Sequence, residues 1–199
     1  MKFNADGSIN RYKARVATKG YAQTHGVDYE ETFAPVAKMM IVRTVIALVA
    51  AKGWHLHQID VKNAFLQGEL KQEVCMSQPP GFNSSTHPKA IWRLKKPLYR
   101  LKQAPHAWHS KITQYLHRNG FRMSKSDNSL YIRSDSASPI VIILNVNDLV
   151  IGGEHFVEIN KVKSLLSDKF EMTDMKELHY VEYECIMVVF TLFLRTVLV

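Results

Sequence analysis

The sequence predicts an α+β fold, and three observations carry that assignment. Helical and strand patterns are mixed along the chain without the strict alternation of a doubly wound sheet. Two segments place apolar residues at helical spacing between a leading proline and a trailing glycine. A third, PIVIILNVNDLVIGG, sets two apolar runs around a short polar tip, the pattern of a tight hairpin. At 199 residues, with 46% hydrophobic and 22% charged side chains, the chain can bury a core in one domain or in two small packed lobes.

The elements follow in chain order. INRYKARVATKGYAQ interleaves Val and Tyr with Lys and Arg after the turn signal Asp6-Gly7. It reads as the second arm of a hairpin whose first arm is missing or truncated. PVAKMMIVRTVIALVAAKG is a helix with Pro35 suited to its first turn and Gly53 to its stop; apolar on almost every side, it belongs in the interior. WHLHQIDVKNAFLQGEL opens as a strand, with Leu56, Gln58 and Asp60 on one face and His55, His57 and Ile59 on the other. After the loop SQPPGFNSSTHP, PHAWHSKITQYLHRNG is a second helix from Pro105 to Gly120, buried along Ala104, Trp108, Ile112 and Leu116. The hairpin comes next. FVEINKVKSLLSDKF then sets Ile159, Val162, Leu165, Leu166 and Phe170 in a helical rhythm.

Charge narrows the partners. The formal net charge is +8, and from Val74 to Ser126 there is no Asp or Glu against ten Lys or Arg. A solvated face normally mixes signs, so this run favours a polyanion such as nucleic acid. Cys75 and Cys185 form no disulfide framework, and MKFNADGSIN lacks the apolar core of a secretory signal. The expectation is an intracellular, most simply cytoplasmic, protein that is not secreted. The terminal IMVVFTLFLRTVLV is fourteen residues with Arg195 inside it, short of the about 20 a spanning helix needs. No stable membrane association is expected.

Hydrolase chemistry finds no support: G-x-S-x-G, G-x-x-x-x-G-K-[ST] and H-E-x-x-H are all missing. His55 and His57 share a strand face, but no third ligand with zinc spacing lies nearby. The informative pair is Asp60, at a strand end, and the later hairpin tip. Carboxylates from separate strands brought to adjacent tips can hold hard divalent cations, and two such ions serve nucleotidyl transfer. A lone Asp at a strand end is also an ordinary cap or turn residue, so spacing alone leaves both open.

Five motifs, in order, change that balance. YKARVATKGYAQTHGVDYEETFAPVAKM, QIDVKNAFLQGEL, PPGF, RLKKPLYRLKQAPHAWH and DNSLYI closely resemble the reverse transcriptase of copia-type LTR retrotransposons, from about Arg11 to Tyr180. The resemblance implies an RNA-directed DNA polymerase of the right-hand kind, working on an RNA template and a DNA or RNA primer with dNTPs and Mg²⁺ or Mn²⁺. It implies partial fingers at 1–34, a palm with the first carboxylate at 35–68, and a fingers-like insertion at 69–97. The palm then resumes with the catalytic-type hairpin at 98–180, before a divergent hydrophobic tail at 181–199, with no thumb.

Residue by residue, the resemblance makes Asp60 the first metal-binding carboxylate. Phe65 becomes the aromatic gate against a ribose 2′-OH, although a core phenylalanine would read the same way. Lys13 and Arg15 match the basic finger strand over the triphosphate, where guanidinium grips phosphate in a fork. Tyr99 and Arg100 fall in the segment packed against the nucleotide. Lys95, Lys96, Lys102 and Lys111 are the expected nucleic-acid contacts.

The departures are as informative. The family's tip reads Tyr-x-Asp-Asp; here it is Asn145-Val146-Asn147-Asp148, with Asn147 in the place of a metal-ligand aspartate. That loss of one charge removes ~4 kcal/mol at an effective dielectric near 20, roughly a thousandfold in rate. Asp148, the other metal-site candidate, is expected by strand alternation to face away and so not to replace it. Arg100 stands where the family has a glycine that lets backbone approach the nucleotide, and His106 where it has an arginine. FEMTDMKELHY continues into VEYECIMVVF instead of the family's primer-positioning FLGIEV. Metal binding is therefore doubtful and the enzyme is expected to be weakly active or inactive. Two other readings stay open: a non-catalytic, basic nucleic-acid-binding pseudoenzyme, and a translated remnant without function.

Overall fold

A computed structural model describes residues 2–4, 6–12, 16–134 and 138–177. The expectations for Lys13, Arg15, Cys185 and the tail at 181–199 lie outside the described residues. The architecture is mixed α and β around an antiparallel sheet, as the patterning predicts.

The N-terminal hairpin has a short first arm. Strand β1 (Lys2–Phe3) pairs with β2 (Ile9–Arg11) across the Asp6-Gly7 turn, so the first arm is present as two residues. Beyond Val16 the chain is largely irregular and leans on the middle of the protein: Thr18 N–H donates to Tyr99 O at 2.9 Å, and Ala17 bridges Tyr99. A Cβ on Gly20 would lie 1.7 Å from Arg100 O, so only glycine permits that approach.

Helix α1 (Met39–Lys52) stops as expected at Gly53, in the left-handed region at φ 63°. Its start differs from the expectation. Pro35 lies before the helix, and the Lys38 N–H is taken by the Asp127 carboxylate at 3.1 Å. The Ser129 N–H and Oγ hold the other oxygen of Asp127. Burial works against this charge, yet those donors keep the carboxyl below its ordinary range. Nor is α1 wholly interior: Val42, Val45, Ile46 and Val49 are buried while Met40 and Leu48 face outward.

The main sheet has six strands in the order β10-β3-β9-β8-β7-β6, antiparallel at every neighbour. They are β3 (His55–Val61), β6 (Arg122–Met123), β7 (Leu130–Arg133), β8 (Ile140–Asn145), β9 (Asp148–Gly153) and β10 (Met172–Glu177). Strands β6, β7 and β10 are short or polar and carry no clear alternation, which is why patterning missed them. Helices α2 (Ala104–Arg118) and α3 (Phe156–Lys169) cover one face with Trp108, Ile112, Leu116, Ile159, Val162 and Leu166. Against them lie Ile59, Ile140, Ile142, Leu144, Leu149 and Ile151. Helix α1 covers the other face over Leu56, Val141 and Ile143. Gly152 permits that contact, since a Cβ there would sit 3.0 Å from methyls of both Val49 and Val141. A two-stranded ribbon, β4 (Cys75–Ser77) with β5 (Ile91–Arg93), forms a separate sheet.

Candidate active site and its relatives

The register of β3 and β9 builds the site. Asp60 is the cross-strand partner of Asp148, and Gln58 of Val150. Directly opposed residues of an antiparallel pair project to the same face, so Asp60, Asp148 and Gln58 share the face that Leu56 turns toward α1. This corrects the expectation that Asp148 faces away. Asn147 reaches the same point from the turn: its Nδ2 donates to Asp60 Oδ1 at 2.6 Å, and its backbone oxygen accepts from Val61 N at 2.8 Å.

Asp148 sits where water is scarce. Burial pushes its carboxyl up to about 6; Gln58 Nε2, donating at 3.2 Å, opposes the rise and the neighbouring Asp60 charge adds to it. The tip is a two-residue turn with Val146 at φ 56°, a conformation that a β-branched residue rarely adopts. Trp108 holds it there, its indole Nε1 donating to Val146 O at 2.6 Å while its ring is buried edge-on to Phe170. Strained backbone persists only where surrounding contacts over-determine it.

Phe65 and Tyr99 come together just past the end of β3 that carries Asp60. Asn63, left-handed at φ 51°, turns β3 into a single 3-10 turn at Ala64–Gln67 that carries Phe65. Tyr99 OH donates to Asn63 Oδ1 at 2.9 Å, and the two rings meet edge to face at 6.4 Å. Phe65 is half-buried and packs on the main core, so it serves the core whatever else it does. Arg100 is exposed and holds φ 65°. A glycine at this position is thus explained by backbone conformation, more directly than by close approach of a ligand. Left-handed backbone costs an L-residue roughly 1–2 kcal/mol, part of which glycine gives back in unfolded-state freedom. Arg100→Gly should accordingly raise the denaturant midpoint by the equivalent of about 0.5–1 kcal/mol; an unchanged or lower midpoint would show that the arginine side chain compensates.

The basic residues divide. Lys95, Lys96 and Lys102 are exposed. Lys111 is half-buried and pairs with Glu69 at 2.7 Å, and Arg93 lies 3.4 Å from Glu73. Among the described residues, acids from outside the acid-free run thus partner two of its ten cations, Arg93 and Lys111. Sequence reasoning did not single out Gln58, Asn63 or the tip-holding role of Trp108. Gln58 was findable, being two residues before Asp60 on one strand face; the Trp108 contact spans 38 residues and leaves no local trace.

These residues do not fit a divalent ion as they stand. Two carboxylates converge, but the third group is an amide whose NH₂, a donor, occupies the approach to Asp60 Oδ1. Among the described residues no group of three His, Cys, Asp or Glu is placed to hold a metal ion. Among the same residues, no helix is long and apolar enough to cross a membrane.

Comparison with known proteins agrees with the motifs. The family model described as reverse transcriptase (RNA-dependent DNA polymerase) matches residues 1–190. The retrovirus-related Pol polyproteins from transposons RE2 and RE1 of Arabidopsis thaliana are 45% and 44% identical over 90% of this chain. That from transposon TNT 1-94 of Nicotiana tabacum is 38% identical over 88% of it. The chain spans only 12–13% of the length of these relatives. A match along nearly its whole length, to the family model and to these Pol polyproteins alike, places the chain in the reverse transcriptase family of copia-type retrotransposons.

Proposed function

We propose that the six-stranded sheet and its helices, 35–68 and 98–180, are the palm of a right-hand polymerase, and that 1–34 and 69–97 belong to its fingers. In this reading the chain holds an RNA template, a primer and dNTPs, while its nucleotidyl-transfer centre is disarmed. Asp60 and Asp148 are the retained metal-site carboxylates, Phe65 and Tyr99 wall the nucleotide, and Lys13 and Arg15 are the cations that meet the triphosphate. The observation that carries the proposal is the 2.6 Å hydrogen bond from Asn147 Nδ2 to Asp60. The amide satisfies the carboxylate that the ancestral chemistry needs for Mg²⁺ or Mn²⁺, so the hairpin keeps its shape and loses one of its two carboxylates.

The test is primer extension on a primed RNA template beside a binding titration. Binding is expected with extension roughly a thousandfold below a relative that keeps both tip aspartates. Extension at the relative's rate would overturn the reading, and failure to bind or extend would favour a remnant. Binding should weaken steeply with salt, through counterion release. Neutralising Lys95, Lys96 and Lys102 together should reduce the slope of log K against log salt by about 2–3. Lys111→Ala should change it little, because Glu69 already neutralises that charge.

A further inference from the structure

The β4–β5 ribbon lies outside the site just described, and its side chains are unusual for an exposed element. Ile91 is 68% exposed, Trp92 41% and Phe82 68%, with Phe82 in the loop joining the two strands. The Phe82 and Trp92 rings stand edge to face at 6.4 Å, inclined by 67°. Large aromatics paired in solvent stabilise the fold little, because their outer faces stay wet.

The loop that carries Phe82 is rich in Pro, Gly and Ser, yet it is tied down. Gln78 spans it: its Nε2 donates to the carbonyls of His87 at 2.8 Å and Ala90 at 2.9 Å. Its Oε1 accepts from the Ser84 N–H at 2.5 Å. A second set of bonds joins Ser84, Thr86 and His87, and Gly81, at φ 85°, makes the turn that brings Phe82 back. The rings are therefore set in place before any partner arrives, which lowers the entropy cost of binding.

Charge selects the partner. Lys89, Lys95 and Lys96 flank the pair and are exposed, and the acid-free run extends around them. Arg93 lies on the other face of β5 from Trp92 and meets Glu73. Aromatic faces set among cations suit a flexible polyanion with flat rings of its own. In a duplex those rings are stacked on one another and are not available.

We infer that the β4–β5 ribbon binds unpaired single-stranded nucleic acid, a base stacking on Trp92 beside Phe82 while Lys89, Lys95 and Lys96 neutralise the adjoining phosphates. This rests on the nucleic-acid-binding reading above and assigns it a place and a strand type. Trp92 reports on it directly, because Trp108 is buried and Trp54 lies half-buried against the α1 core.

The experiment titrates the full chain with oligo(dT), oligo(U) and a blunt duplex of equal length, following tryptophan emission and fluorescence anisotropy. Single strands should quench emission, and Trp92→Leu should remove most of the quench. Phe82→Leu and Trp92→Leu should each weaken single-strand binding roughly tenfold, leaving duplex affinity and the salt slope unchanged. Circular dichroism and the melting temperature should not move, since both side chains are exposed. Binding by the natural chain that neither substitution alters would overturn this inference and leave the nucleic-acid reading standing. Equal losses for single strand and duplex would overturn it as well. No binding of any nucleic acid by the natural chain would overturn both.

Discussion

Asn147→Asp should lower the melting temperature of the metal-free protein, and millimolar Mg²⁺ or Mn²⁺ should return most of that loss. The substitution removes a donor lying 2.6 Å from Asp60 and puts a third carboxylate beside Asp60 and Asp148. A hydrogen bond to a charged group contributes about 1.5–3 kcal/mol. Repulsion between carboxylates a few ångströms apart adds a comparable amount at an effective dielectric near 20. A net cost of about 3 kcal/mol corresponds to roughly 6–12 °C for a chain of this size. A divalent ion that binds only the folded variant recovers about 2.7 kcal/mol at a hundred times its dissociation constant. The natural sequence should stay nearly unmoved by metal, and Asp60→Asn in the variant should abolish the response. Thermal melts of the three proteins, with and without metal, decide the matter. Equal metal-induced shifts in the natural chain and the variant would show that Asp60 and Asp148 already hold an ion, and that the centre is not disarmed.

Asp148→Asn should stabilise the protein at neutral pH and remove a pH dependence of stability. Burial, more than the nearby Asp60, raises the Asp148 carboxyl to about 6 in the folded state; in the unfolded chain it titrates near 3.9. Between about pH 4 and 6 the folded state thus binds more protons than the unfolded one, so stability falls as pH rises through that window. Two units of difference correspond to about 3 kcal/mol, lost by neutral pH and fully present below the unfolded value. Asparagine can accept the same Gln58 hydrogen bond without a charge to desolvate. The variant should match the natural protein at pH 4 and exceed it by about 2–3 kcal/mol at pH 7. Urea midpoints of both proteins from pH 4 to 8 measure this. A slope that survives in Asp148→Asn belongs to another group.

The sequence by itself determined the family, the class of fold and the parts that repeat locally. Helix α2 declared itself through Pro105, a four-residue apolar rhythm and the stop before Gly120. The β8–β9 hairpin declared itself by two apolar runs around a short polar tip. The missing charge at Asn147 needed no structure either, since an amide in place of a carboxylate is chemistry already written in the residue type. Tertiary structure alone decided how those groups meet. At the start of α1 the Lys38 N–H is held by Asp127, 89 residues away, and Pro35 lies before the helix. Alternation read along the sequence turns Asp148 away from Asn147, but Asn147 lies in the turn, and pairing with β3 brings both residues to Asp60. Lys111 counts as a free cation in the sequence and as a partner of Glu69 in the fold. In each case the local pattern specifies a residue's direction relative to its own element. Which element lies opposite is set by strand register and helix packing, and these join residues far apart in the chain.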